Sequence, residues 1–325
     1  MRRREGEAGS VEALKKANAV LGRHMALLTV CFVAFGILFP AVLEPLAPAV
    51  TFLFAIVTFQ GALGNTVDNV VRVFRRPRML LGILVASAVV MPSIARVTGG
   101  LLFGGDPDIL AGIVLEYCVP VAVVSVMWTN MAHGNTALSL SSVLISTVLA
   151  PVVLPLMMKL LMGTIVEVDV MGLMRSTLIM VAIPAVAGIA VNEATHGWGA
   201  STLSPVLAPL AKVLVLFIIG TNSTAISDYM HNLTPELVGV ICLIFVLACT
   251  GYFLGIGIGR VLGDGDADVA TGCLEVGMRN ISCGAVIAAQ FFPPATMFPV
   301  MAGTLFQQVL AAAFSRRLAV PEKDE

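Results

Sequence analysis

The sequence predicts an all-α polytopic membrane protein with ten transmembrane helices in two inverted five-helix repeats. Three observations carry that expectation. Apolar blocks long enough to cross a bilayer recur along the chain, and basic residues gather at alternate breaks between them. Two blocks in matching positions of the two halves hold a carboxylate beside a helix breaker.

The composition points the same way. Hydrophobic residues make up 58% of the chain, charged residues only 12%, and the mean hydropathy is +0.96. A soluble domain needs about a quarter of its residues charged to cover its surface. The net charge of −1 comes without a basic patch outside the flanks and loops, which argues against nucleic acid as a partner. The six cysteines fall inside apolar runs without paired spacing, so they read as small packing residues. Residues 1–24 are polar and basic, too long for the n-region of a signal peptide, and the apolar run that follows lacks a small-x-small cleavage site. They are expected to form a cytoplasmic segment before a retained first helix.

A crossing takes roughly 20 apolar residues. The expected helices span 25–43, 47–64, 79–98, 109–132, 136–162, 170–191, 205–222, 236–261, 267–292 and 295–315. The first repeat covers 25–162, the second 170–315, and a cytoplasmic tail 316–325. Turn chemistry fills the breaks, as at Gly104-Gly105-Asp106-Pro107, Thr234-Pro235, Gly263-Asp264-Gly265 and Pro293-Pro294. The basic residues before the first helix, those at Arg72, Arg75, Arg76 and Arg78, and Arg260, Arg316, Arg317 and Lys323 all fall on one side of a ten-helix chain. The positive-inside rule makes that side, with both termini, cytoplasmic, in an inner or plasma membrane.

The fourth helix is interrupted at Leu115-Glu116-Tyr117-Cys118-Val119-Pro120 and the ninth at Leu274-Glu275-Val276-Gly277-Met278-Arg279-Asn280. Proline removes a backbone donor and glycine permits unwinding. Paired interruptions of this kind mark an inverted-repeat transporter whose ion and substrate sites lie where the broken helices cross. Glu275 and Arg279, four apart, read either as a structural ion pair or as the lining of that site. Glu116 reads either as a snorkelling carboxylate near the outer interface or as a coupling group. Ser125, Thr129, Asn130, Ser139, Ser141 and Ser142 are helix glue singly, and ion or anion ligands as a cluster. Gln307 and Gln308 read as interhelical glue or as a substrate contact. No HExxH, GxSxG, Walker or CxxC pattern occurs, so no enzyme is expected.

These residues resemble the bile acid:sodium symporter family from about residue 25 to 315. The likeness is strongest at Phe74-Arg75-Arg76-Pro77 through Met91-Pro92, at Pro120 through Pro151 including Ala132-His133-Gly134-Asn135, and at Glu275-Val276-Gly277-Met278-Arg279-Asn280. The resemblance implies a panel of helices 1, 2, 6 and 7 and a core of the other six, with helices 4 and 9 crossing. It also implies organic-anion transport, often with two sodium ions. One sodium site would use Ser125, Val126, Ser139, Val143 and Glu275; the other would use Ser87, Glu275, Val276, Met278 and Arg279. The family has oxygen-bearing side chains where Val126 and Val143 stand, and glutamines at Ser87 and Arg279. Arginine offers donors only, so its guanidinium is expected to stand where a sodium ion would. The overall expectation is a secondary active transporter of a small carboxylate or bile-acid-like anion, with weak or absent sodium coupling and no other cofactor. Substrate contacts are expected from Ser125, Arg279, Asn280, Gln307 and Gln308. Glu275, Ser139, Ser87, Val276, Met278 and Glu116 are expected around the ion site. Proton-coupled or uncoupled carriage is the alternative within transport, and an intramembrane enzyme or sensor scaffold the alternative outside it.

Overall fold

The computed structural model describes residues 2–66 and 77–319. Every regular element among them is a helix, in the order α1 (Arg2–Leu38), α2 (Pro40–Ala62), α3 (Pro77–Phe103), α4 (Pro107–Cys118), α5 (Ser125–Met131), α6 (Thr136–Met162), α7 (Val170–Ala194), α8 (Gly199–Thr224), α9 (Ser227–His231), α10 (Pro235–Leu262), α11 (Asp266–Gly277), α12 (Ile281–Phe291) and α13 (Pro294–Arg317). Among the described residues, seven of these (α2, α3, α6, α7, α8, α10 and α13) are long and apolar enough to cross a membrane. The protein is therefore a multi-pass membrane protein. The six cysteines carry no disulfide.

Local chemistry sets the helix starts. Asp106 caps α4, its carboxylate accepting from the Asp108 and Ile109 amides at 3.0 and 3.1 Å, with Pro107 in the first turn. Asn135 caps α6 through the Leu138 amide, and Thr234 caps α10 through the Leu237 amide ahead of Pro235. Each cap satisfies an amide that the first helical turn leaves without a partner.

The first crossing differs from its expected bounds of 25–43. Helix α1 runs unbroken from Arg2 to Leu38, so residue 24 marks no break in secondary structure. It ends early because Pro40 disfavours the helical conformation at Phe39 (φ −130°, ψ 57°) and starts α2 instead. Phe74 and the basic residues Arg72, Arg75, Arg76 and Lys323 lie outside the described residues.

Helix α1 packs along α8, and α2 packs against both α7 and α8. Separately, α10 packs along α11, and α4 lies between α3 and α13. Helices α10 and α11 approach backbone to backbone: a Cβ on Gly272 would sit 2.7 Å from the Gly255 carbonyl oxygen. Small residues bring membrane helices this close because dispersion contacts, rather than the hydrophobic effect, hold them together in lipid. That contact fixes the helix carrying Glu275.

Candidate functional site

Two interrupted segments meet in the middle of the molecule. Helix α4 stops at Cys118, where Val119 turns extended (φ −70°, ψ 155°), and the chain resumes as α5 at Ser125. Helix α11 stops at Gly277, where Met278 is extended (φ −109°, ψ 133°), and resumes as α12 at Ile281. Unwound backbone is tolerated inside a membrane protein only when its polar groups find partners. Here each break supplies the other. Val121 and Arg279 form an antiparallel bridge, the Asn280 amide donates to the Pro120 carbonyl at 2.9 Å, and the Ala122 amide donates to the Met278 carbonyl at 3.3 Å. The Arg279 amide is taken by the Gln307 Oε1 of α13 at 2.7 Å, and the Val121 amide by the Ser146 Oγ of α6 at 3.2 Å.

Glu275 is fully buried one turn before the break. Its Oε1 accepts from the hydroxyls of Ser139 at 2.5 Å, Ser125 at 2.8 Å and Thr129 at 3.4 Å, while Oε2 has no hydrogen-bond partner among the described residues. Two helices, α5 and α6, thus direct three hydroxyls at one carboxylate oxygen, the Ser125 hydroxyl lying also 2.7 Å from the Ala122 carbonyl.

The expected Glu275–Arg279 ion pair does not form. A spacing of four brings two side chains together only within a continuous helix, and α11 ends between them. Arg279 lies in the extended break, buried, and its Nη2 donates to the Val276 carbonyl at 3.2 Å. Among the described residues its Nε and Nη1 have no hydrogen-bond partner, and its guanidinium carbon lies 5.9 Å from the centre of the Tyr117 ring, within cation–π range. The Val276 carbonyl is one of those that the last turn of α11 leaves open, and Arg279 closes it. Glu116 is not a snorkelling interfacial carboxylate either. It is 3% exposed, its Oε2 has no hydrogen-bond partner among the described residues, and Gly303 of α13 has no Cβ where its side chain packs. Ser87 is buried where α3 widens into a π turn, and its hydroxyl donates to the Leu84 carbonyl at 3.2 Å. Met278 is fully buried.

Beside the breaks opens a cavity of about 330 Å³, at the small end of ligand-binding pockets. Residues of α1, α2 and α8 line part of it, and the breaks and α13 line the rest. Arg279, Asn280, Gln307 and Gln308 border it; Ser125, Ser139, Glu275 and Glu116 do not.

The three amides share one feature. Asn280 caps α12 by accepting from the Cys283 amide at 3.3 Å, Gln307 accepts from the Arg279 amide, and Gln308 accepts from Trp128 Nε1 at 3.0 Å. Each partner is an N–H group, so each amide must turn its oxygen toward it. Among the described residues the three NH₂ groups have no protein acceptor. This wall of the cavity therefore presents donors.

Comparison with known proteins decides the family. The model of the sodium bile acid symporter family matches residues 51–233. The chain belongs to that family. It is 35% identical over 294 residues to the uncharacterized protein YbaS of Bacillus subtilis, covering 90% of this chain and 96% of that one. It is 27% identical to the uncharacterized sodium-dependent transporter YocS of the same organism, over 89% and 88% of the two chains. It is also 30% identical to the probable sodium/metabolite cotransporter BASS1, chloroplastic, of Arabidopsis thaliana, over 86% of this chain and 69% of that one. For this symporter-family chain, membership makes transport of a small molecule across a membrane the activity to explain, and the breaks are the place to look for it.

Sequence reasoning named the ion-site group and three amides of the cavity, and missed Lys212. That residue lies on α8, lines the cavity, and donates from Nζ to the Asn18 carbonyl of α1 at 2.8 Å. The signal was present, since a lysine inside an apolar crossing is costly unless it faces a partner or a wet space.

Proposed function

We propose that this protein is a secondary transporter that carries a small organic anion through the cavity beside the two breaks. The carrying observation is the donor wall of Asn280, Gln307 and Gln308, whose oxygens are all held by N–H groups while their NH₂ groups face no protein acceptor. Donors at an otherwise largely apolar cavity favour an acceptor-rich ligand, and a carboxylate or sulfonate is the small group richest in acceptors. The proposal also takes in the ten-crossing topology of two inverted repeats. Helices α1, α2, α7 and α8 form the panel, the remaining crossings form the core, and both termini are cytoplasmic in a cell membrane. Alternating access then comes from movement of one group of helices against the other.

Glu275 is the coupling group in this reading. Its free Oε2 is an acceptor for a proton or a cation, buried where an uncompensated carboxylate is costly. Sodium coordination needs several hard oxygens, and this protein offers few. Val126 and Val143 supply none from their side chains, and the Val276 carbonyl already accepts from Arg279. Sodium stimulation is therefore proposed to be weak, although YocS and BASS1 are named as sodium-linked transporters.

Uptake into proteoliposomes tests the reading. Small carboxylates are compared with their neutral amides, with and without an inward sodium gradient. The expected result is saturable carboxylate uptake, no amide uptake, and little change when sodium is replaced by potassium. Equal uptake of amides would overturn the anion assignment, and strictly sodium-dependent uptake would overturn the coupling assignment.

A further inference from the structure

Lys212 lines the cavity, and neither the breaks nor the coupling group explains it. Its ammonium has three donors, and its hydrogen-bond partner is the Asn18 carbonyl, a neutral group. Among the described residues, no acidic side chain lines the cavity and none hydrogen-bonds to Lys212. A cation held in the wall of a membrane-protein cavity without a counter-charge is costly unless a ligand or water completes it. The surroundings are shaped to hold the ammonium there. Gly22, one helical turn after Asn18 on α1, leaves the space the head occupies: a Cβ on Gly22 would lie 2.9 Å from Lys212 Nζ. This is a cation given room and left unpaired at the cavity edge.

Lys212 belongs to the wall made by α1 and α8, whereas the uncommitted amides belong to the breaks and α13. Gln60 on α2 is turned the other way from those amides, spending its NH₂ on Ser204 at 3.1 Å. The first wall therefore reads negative charge with Lys212, and the second reads acceptor oxygens with neutral donors. We propose that Lys212 is a second anion subsite, so that the cavity selects dicarboxylates over monocarboxylates of the same length. One carboxylate binds the amides at the breaks and the other binds Lys212, displacing the Asn18 carbonyl from Nζ. This assignment rests on the anion reading of the cavity and adds the number of charges the substrate carries.

Binding to purified protein in detergent tests it, with succinate, glutarate and adipate each titrated beside its own monoamide. The monoamide keeps length and one carboxylate and removes only the second charge. The expected result is that wild-type protein binds at least one diacid about ten-fold or more tightly than its monoamide, the effect of one charge-assisted contact. Lys212→Met should erase that difference and Lys212→Arg should keep it. Gly22→Ala provides a second route: it favours the helix, retains the lysine and pushes the ammonium from its place, so it too should narrow the difference. It carries the test if Lys212→Met does not fold. Wild-type protein that binds every diacid and its monoamide alike, or a preference that survives in both Lys212→Met and Gly22→Ala, overturns the subsite while leaving the anion reading standing. Failure of both diacids and monoamides to bind, with simple monocarboxylates also inert, overturns the two together.

Discussion

The Glu275 cluster and the cavity wall lie on either side of the same pair of breaks, and they treat hydrogen bonds in opposite ways. Around Glu275 every donor is spent: Ser125, Thr129 and Ser139 converge on one oxygen, and they do not line the cavity beside the breaks. Along the wall the acceptors are spent and the donors are free, because backbone and indole N–H groups hold the oxygens of Asn280, Gln307 and Gln308. A closed cluster with one unpaired carboxylate oxygen suits a proton or a small cation. An open wall of donors suits an organic anion. Adjacent residues serve the two: the Val276 carbonyl is closed by Arg279, whose own amide pins Gln307.

The largest expected effect breaks the closed side. Glu275→Gln keeps an oxygen to accept the three hydroxyls but removes the charge, so uptake should fall to background. The melting temperature should move by no more than about 4 °C, the shift that roughly 1 kcal/mol produces in a chain of this class. Near-normal uptake by a folded variant would show that Glu275 does not couple transport.

Next comes the packing that holds Glu275 in place. Gly272→Ala puts a methyl against the Gly255 carbonyl, and overpacking of this kind costs about 1–3 kcal/mol. Thermal unfolding in detergent should show that loss. An unchanged melting temperature would mean that α10 and α11 have slack between them.

Arg279→Gln sharpens the comparison further, because it frees the Val276 carbonyl without touching the hydroxyl cluster. Sodium stimulation of uptake should rise. Since Arg279 and Glu275 are not paired, a double-mutant cycle with Glu275→Gln should give a coupling energy below about 0.5 kcal/mol in stability. A coupling of several kcal/mol would restore the ion pair that the broken helix excludes.

Much of this was legible in the sequence, for identifiable reasons. Glycine and proline beside a carboxylate announced both breaks, and the observed ends at Cys118 and Gly277 fall inside the interrupted stretches. The grouping of Ser125, Ser139 and Glu275 followed from the family resemblance, and the structure brings these side chains within hydrogen-bond distance. The position of Arg279 was not legible. Spacing implies a pair only if the helix continues, and the residues that broke the helix also removed the pairing. Nor was the burial of Glu116 legible, since depth depends on Gly303 of α13, remote in sequence. Lys212 stood out as a charge inside an apolar crossing, but its want of a carboxylate partner among the described residues shows only once α1 and α8 are side by side.

The most direct test of the division between the two sides is the affinity of one carboxylate, the best taken up, measured by calorimetry on three proteins. These are wild type, Ser139→Ala, and the double variant Gln307→Leu/Gln308→Leu. The expected result is that Ser139→Ala binds within about two-fold of wild type, while the glutamine variant loses about ten-fold or more, the effect of losing one or two hydrogen bonds to a charged group. Intact affinity in the glutamine variant with lost affinity in Ser139→Ala would contradict the account, because it would put the anion on the hydroxyl cluster.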